Sequence, residues 1–216
     1  MKFTVIDHEQ RSPAWFAARA GRLTGSRACD VLAKIKTGEA AARRDYRLQL
    51  AVERLTGMPQ ESSFINADMQ RGIDMEATAF AAYEAATGEM VRRTGFLAAD
   101  DLMVGCSLDG DIDDFAGIVE LKVPKSTTHV GYFKAGTLPA SHLAQCVHNL
   151  WVSGAKWIDF ASYDDRLPKM LHLFHVRVYA KDVDIAGYEA EAKKFLAEVD
   201  AEVESLTRLG AIKEAA

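Results

Sequence analysis

The sequence predicts a mixed α/β fold, and three observations carry that prediction. Residues 40–55 and 66–87 keep apolar side chains at helical spacing, with glycine at their ends. Over residues 90–99, 103–109 and 118–123 the segments become short, rich in β-branched and apolar residues, and separated by Asp/Gly turns. Helical spacing then returns at 127–135 and 140–153, strands follow at 157–163 and 171–180, and an amphipathic helix spans 183–209. Helices, three strands, helices, two strands and a helix, with no repeat or linker, make one mixed α/β domain over residues 1–216.

Each element has a local reason. Ser12 before Pro13 is an N-cap followed by proline in the first turn, opening a short helix that Gly21 ends near residue 20. Thr24-Gly25-Ser26 offers a second N-cap, for a helix reaching about residue 35. Thr56-Gly57 and Pro59 close the third helix, and Gly88 closes the fourth. The three strands that follow are expected to form an antiparallel meander. In the last helix, Ile185, Tyr188, Ala192, Phe195, Val199, Val203 and Leu206 form the apolar stripe.

Composition narrows the class. With 49% hydrophobic and 26% charged residues the chain resembles an ordinary globular domain rather than a disordered one. No apolar run approaches the ~18 residues needed to cross a bilayer, and the first residues lack a secretory h-region. Cys29, Cys106 and Cys146 are too few for a disulfide framework or a four-cysteine iron–sulfur site. A cytoplasmic protein without membrane partners is therefore expected.

Charge is unevenly spread. The net charge of −5 argues against a nucleic-acid partner, yet residues 11–54 carry ten Lys/Arg against four acids while residues 55–216 carry −10. A basic region on an acidic body reads as a phosphate-binding patch. On charge alone, a solvated helix face explains it equally well.

Three features bear on chemistry, each weak by itself. Glu76 falls on the stripe of Met69, Ile73, Phe80 and Tyr83, so this carboxylate must be partnered, protonated, bound to a cation, or at the stripe's edge. In Gly117-Ile-Val-Glu-Leu-Lys-Val-Pro124, Val119, Leu121 and Val123 point one way while Glu120 and Lys122 point the other, side by side on one surface. Asp109 ends an apolar strand against Gly110, where a turn aspartate is the ordinary explanation. A hairpin brings Asp109, Glu120 and Lys122 together, and Glu76 can complete the cluster. Carboxylates ~4 Å apart repel by about 4 kcal/mol at an effective dielectric of ~20, so they shift one another's protonation or recruit a cation. Hard oxygen ligands suit Mg²⁺ or Mn²⁺, and such ions support phosphodiester hydrolysis, with Lys122 positioning the water or stabilising charge on the phosphate.

At this point the series resembles the PD-(D/E)XK nucleases, and among them the lambda-exonuclease-like, YqaJ-type viral recombinase family. The resemblance spans about residues 12–180. It rests on Trp15-Phe-Ala-Ala-Arg19, Gly21-Arg-Leu-Thr-Gly-Ser26, Arg71-Gly72 with Glu76, Cys106-Ser-Leu-Asp-Gly110, Val119-Glu-Leu-Lys-Val-Pro124, Ala144-Gln145 and Ser162-Tyr-Asp-Asp-Arg166. It implies a restriction-endonuclease-like core over 66–180, with a mixed central sheet of about five strands flanked by helices. A basic helical region over 11–57 precedes that core. It also implies catalytic roles for Asp109, Glu120, Lys122, Glu76 and Gln145. Asp109, Glu120, Glu76 and the Leu121 carbonyl are the metal ligands it implies, for two Mg²⁺ ions with Mn²⁺ as a substitute. Arg19, Ser26 and Ser107 would hold a terminal 5′-phosphate, with Arg22 and Thr24 from the same motif as DNA contacts. The implied activity is 5′→3′ digestion of one strand of duplex DNA from its end. A ring-shaped homotrimer, a single-strand annealing partner and a phage or prophage origin in a bacterial host come with the family.

Two positions depart from the pattern: Leu108 stands where proline is usual, and Val147 where relatives often carry a second glutamine. The Lys34-Ile35-Lys36 loop has no certain counterpart. The six histidines show no paired metal spacing, His142 is expected at the surface, and Trp15 is expected in the core rather than stacked on DNA. Two alternatives remain at this level: an endonuclease on the same fold, and a non-catalytic DNA-end-binding module.

Overall fold

The computed structural model describes residues 1–60 and 66–214, with side chains through residue 211. Helix α1 (Pro13–Arg19) opens as expected, the Ser12 hydroxyl accepting from the Trp15 N–H at 3.2 Å. The second helix does not reach residue 35. Leu23–Thr24 instead forms a strand, a 3-10 turn follows, and α2 covers only Ala28–Val31. Thr24 does not cap; its N–H donates to the Tyr46 hydroxyl at 3.1 Å and it pairs in parallel with Gly105. Tertiary pairing here overrides the local cap signal.

Helices α3 (Ala41–Thr56), α4 (Ala67–Thr87), α5 (Ser126–Ala135), α6 (Ala140–Ser153) and α7 (Ile185–Glu214) lie within a few residues of their predicted spans. Asn66 caps α4 by accepting from the Met69 N–H, and Gly88 ends it in the left-handed conformation that favours glycine.

The strands are β1 (Phe3–Ile6), β2 (Leu23–Thr24), β3 (Phe96–Ala99), β4 (Val104–Ser107), β5 (Gly110–Ile112), β6 (Gly117–Lys122), β7 (Trp157–Tyr163) and β8 (Leu173–Tyr179). Among the described residues they form two mixed four-stranded sheets, ordered β1-β3-β4-β2 and β5-β6-β7-β8, in place of one central sheet of about five strands. The three-strand meander is not formed. β3 pairs with β4 and β5 with β6, both antiparallel, but β4 and β5 belong to different sheets. The chain changes sheet at Leu108 and Asp109, with Leu108 fully buried as the anchor. β1 escaped prediction because its outer position leaves no clean alternation, and the strand expected from residue 90 starts only at Phe96.

The β5–β8 sheet is covered on both faces. On one side Ile118, Ile158 and Phe160 join the core built with α3, α6 and α7, including Tyr46, Leu50, Leu150, Phe195 and Val199. On the other, Val119, Leu121 and Ala161 pack with Ala79, Phe80 and Tyr83 of α4. Burial of this apolar area, at about 25 cal/mol per Å², is the main stabilising term. It also decides what surrounds every other residue of β6.

The basic region is mostly neutralised from within. Arg43 pairs with Glu198 at 2.9 Å, Arg47 with Glu39 and with Glu202 at 3.5 Å, and Arg54 with Asp200; Lys34 lies 3.9 Å from Glu191. Arg27 pairs with Asp30 and Arg44 with Asp45. Thus α3 docks its arginines on the acidic α7, and the excess charge of residues 11–54 is largely a helix–helix interface rather than a phosphate patch.

Candidate active site

The β5–β6 hairpin builds the centre of the site. Gly110 pairs with Val119, and the same register carried one step further sets Asp109 opposite Glu120 on one face. The Asp109 carboxylate accepts from the Leu121 N–H at 2.7 Å, which fixes it at the sheet change. Glu120 lies on the face shared with Ile118, beneath α6, and is only 1% exposed. The surface expected for it does not exist, because the alternation of β6 selects a face but α6 covers that face. Lys122, half-buried, pairs with Glu120.

Helix α6 supplies the remaining partners of Glu120. The Gln145 amide donates to one carboxylate oxygen at 2.6 Å, and the Asn149 amide donates to the other at 3.0 Å. The i, i+4 spacing of Gln145 and Asn149 put both on one helix face in the sequence, but only the packing shows that Asn149 reaches the carboxylate. The approach is close at Gly25. A Cβ there would lie 2.4 Å from the Asn149 carbonyl oxygen, so a side chain at residue 25 would displace the amide.

The electrostatics follow from this enclosure. Burial pushes the Glu120 carboxyl up to about 7; the Lys122 charge pulls it down, and the Asp109 charge adds to the rise. For Lys122, burial disfavours the ammonium, but Glu120 and Asp109 outweigh it and hold the lysine above its ordinary value. His142 is not a surface residue: its ring meets the Tyr132 hydroxyl at 3.0 Å and packs beside Phe160, and burial lowers it to about 4, with Lys122 adding to the effect.

Glu76 is half-buried on α4 and pairs with Arg93, whose guanidinium lies 4.4 Å from the Phe80 ring centre. Glu76 and Asp109 together line two adjoining cavities of 380 and 420 Å³. Leu121 and Lys122 line the first and Arg93 the second. Arg71, in the turn of α4 before Glu76, bonds Asp164 at 3.2 Å and Asp165 at 2.7 Å beyond β7, which ties that helix to the strand layer.

A second cluster lies at the β2–β4 pairing. The buried Arg19 donates to the Ser107 hydroxyl at 3.0 Å, and its guanidinium stacks 4.1 Å from the Trp15 ring centre. Trp15 is 9% exposed and packs with Phe96 and Ala98, as a core residue. Ser26 is exposed, with its hydroxyl 3.5 Å from that of the buried Thr24. Arg22 stands apart, its guanidinium bonding the carbonyls of Ala99, Leu102 and Val104 at 3.2–3.3 Å, where it ties the β3–β4 turn. Cys106 and Cys146 are buried fillers and Cys29 is exposed.

The donor chemistry can be tested for a metal. Among the described residues no group of three His, Cys, Asp or Glu is already gathered around one point. The carboxylates nevertheless meet cations or polarised N–H groups: Asp109 the Leu121 N–H, Glu120 the Lys122 ammonium and two amides, Glu76 the Arg93 guanidinium. Hard oxygens held by positive partners, with no sulfur or imidazole among them, fit a hard divalent cation completing its shell with water.

Comparisons with known proteins agree with this architecture. LHK-Exo in complex with dAMP shares 39% identity at a TM-score of 0.83, covering 93% of this chain and 98% of that one. A second structure, described as the alkaline exonuclease LHK-Exo from Laribacter hongkongensis, has the same identity and coverage at a TM-score of 0.81. A phage-related exonuclease from Haemophilus somnus 129PT shares the fold at 13% identity, with a TM-score of 0.62 over 90% of this chain and 96% of that one. No curated protein sequence gives a match. A profile of the YqaJ-like viral recombinase domain matches residues 14–156. With the lambda-exonuclease-like PD-(D/E)XK fold and the 39% identity over nearly the whole chain, that match places the protein: it belongs to the YqaJ-like viral recombinase family.

Proposed function

We propose that this protein is a divalent-metal-dependent exonuclease that digests one strand of linear duplex DNA from its 5′ end, leaving 3′ single-stranded tails for recombination. The observation that carries the reading is the convergence of Asp109, Lys122 and the buried Glu120 paired with it at a cleft that Asp109, Lys122 and Glu76 line. Relatives described as exonucleases support it, as does the dAMP complex of one of them, since dAMP is the size of a single released nucleotide.

In this reading Asp109, Glu120, the Leu121 carbonyl and Glu76 hold two Mg²⁺ ions, with Mn²⁺ able to substitute. When bound, the metal supplies Lewis-acid activation of water and stabilisation of the leaving oxyanion. The chain's own groups do the rest. Gln145 and Asn149 fix the rotamer of Glu120. Lys122 orients the attacking water and stabilises charge developing on the phosphate. Arg19 and Ser107, with Ser26 and Thr24 beside them, receive the terminal 5′-phosphate and set the strand's end against the carboxylates. Arg22 supports that pocket from behind by holding the β3–β4 turn. A ring of three copies and a single-strand annealing partner belong to the same reading.

The test compares four duplexes with and without Mg²⁺: linear with 5′-phosphate, linear with 5′-hydroxyl, nicked circular and closed circular. Loss of the linear forms alone, fastest from the 5′-phosphate and leaving single strands, is the expected result. Cutting of the closed circle makes the protein an endonuclease. Binding to ends without cleavage in Mg²⁺ or Mn²⁺ makes it an end-binding module.

A further inference from the structure

Residues 7–11, with the acids Asp7 and Glu9 among them, line the second cavity, and Arg11 lines both cavities together with Glu76 and Asp109. Its backbone is unusual: φ is 68°, in the left-handed region that side-chain-bearing residues seldom adopt. Such conformations persist where the surroundings enforce them, and they cluster at ligand-contacting positions. Its charge is equally distinctive. The two other Lys/Arg lining these cavities are engaged, Lys122 with Glu120 and Arg93 with Glu76. Arg11 is exposed and forms no ion pair with a carboxylate among the described residues. The arginines of α3, which the sequence offered as a phosphate patch, are bound to α7 and neighbouring acids.

A phosphate entering this cleft meets Asp68, Glu76 and Asp109 on its walls. Lys125 compensates Asp68 and Arg93 compensates Glu76, and with no metal bound it is Arg11 that offers the incoming strand a cation not already paired with an acid among the described residues. We propose that Arg11 binds an internal backbone phosphate of the DNA strand crossing the cleft, distinct from the terminal 5′-phosphate taken by Arg19 and Ser107. This rests on the duplex-DNA reading given above. The strained backbone holds the guanidinium at the cleft wall, where it offsets the acidic lining as the strand enters.

The conformation also supplies a clean test, because glycine suits φ 68° better than arginine does. Arg11→Gly removes the charge without removing a fold contact, so its melting temperature is expected at or above wild type. Binding is measured in EDTA on short linear duplexes with 5′-phosphate or 5′-hydroxyl ends, over a salt series. The expected result is a loss of about tenfold in affinity, equal on both ends, with the log–log salt slope reduced by ~0.9 for one lost phosphate contact. Arg11→Lys, which carries the same strain, is expected to restore the slope. An unchanged affinity and slope in Arg11→Gly overturns the proposal, as does a loss confined to 5′-phosphorylated ends or one accompanied by a lower melting temperature. Arg19→Ala separates the two readings. If it loses affinity equally on 5′-phosphate and 5′-hydroxyl ends, or if wild type binds no duplex, the functional reading itself fails.

Discussion

Glu120 and Asp164 sit at the ends of neighbouring strands and are equally buried, at 1% and 0% exposure, yet their surroundings act in opposite directions. Burial would raise Asp164 too, but hydrogen bonds from Arg166 and Ser126 and the Arg166 charge hold it well below the usual carboxylate range. Arg166 bonds both its oxygens at 2.7 and 3.0 Å, and Arg71 adds a third contact. Among the described residues no arginine bonds Glu120. It has one ammonium, two neutral amides and a second carboxylate nearby, and it is pushed up to about 7. Asp159 and Asp111 are likewise each bonded by an arginine through both oxygens. Low solvent exposure therefore does not mark the reactive acid. An arginine fork saturates a carboxylate and makes it structural. Leaving the fork out keeps lone pairs that a cation can claim.

The largest expected effect tests the reactive side. Lys122→Ala should lower the rate on linear duplex by about 10²–10⁴, with duplex affinity within a few-fold of wild type. Initial rates near wild type would remove Lys122 from the mechanism.

A buried group of the other sign sharpens the contrast. His148 donates to the Gly105 carbonyl at 3.0 Å and accepts from the Tyr188 hydroxyl at 2.8 Å, and burial lowers it to about 4. Its folded pKa lies below the unfolded value of ~6.5. Its contribution is thus complete above pH ~6.5 and is lost as pH falls toward 4, by at most about 3 kcal/mol. A melting series across that window should show the decline, and an NMR titration should find the ring neutral at pH 5. A ring that titrates near 6.5 would show that the packing does not exclude its charge.

The structural carboxylate should respond in stability alone. Asp164→Asn is expected to cost about 2 kcal/mol, less than a fully enclosed pair because Arg166 is 43% exposed. Glu120→Gln should leave the melting temperature equal or higher while lowering turnover. The reverse ranking would break the distinction between the two acids. The smallest effect concerns ends: Arg19→Ala should reduce the preference for 5′-phosphorylated over 5′-hydroxyl duplex by about tenfold, and an equal loss on both would refute the pocket.

Local signals carried much of this. The cap at Ser12, the glycine stop at Gly88 and the apolar stripe of α7 are short-range, so element order was legible in the sequence. The pairing of Asp109 with Glu120 and Lys122 was legible for the same reason, since one hairpin and a period of two set it. The helix expected to 35 loses its start to the strand pairing of Leu23 and Thr24 with Val104 and Gly105, 81 residues away, and ends at Val31, whose carbonyl accepts from the Arg43 guanidinium. The meander failed because nothing local tells a chain at Leu108 to change sheets.

Local pattern was enough for most of the helices and strands, for the acids and lysine that share a face, and for the family. Tertiary structure alone decided what covers each face and which charges meet. Alternation names a side of β6, but only the docking of α6 makes Glu120 buried and brings Asn149 to it. Likewise Arg43 and Glu198 are 155 residues apart, and their pairing turned a basic tract into a neutral interface while leaving Arg11 at the cleft. Periodicity is a property of the backbone and can be read locally. Electrostatic partners are set by packing between distant segments, because charges interact through space and not along the chain.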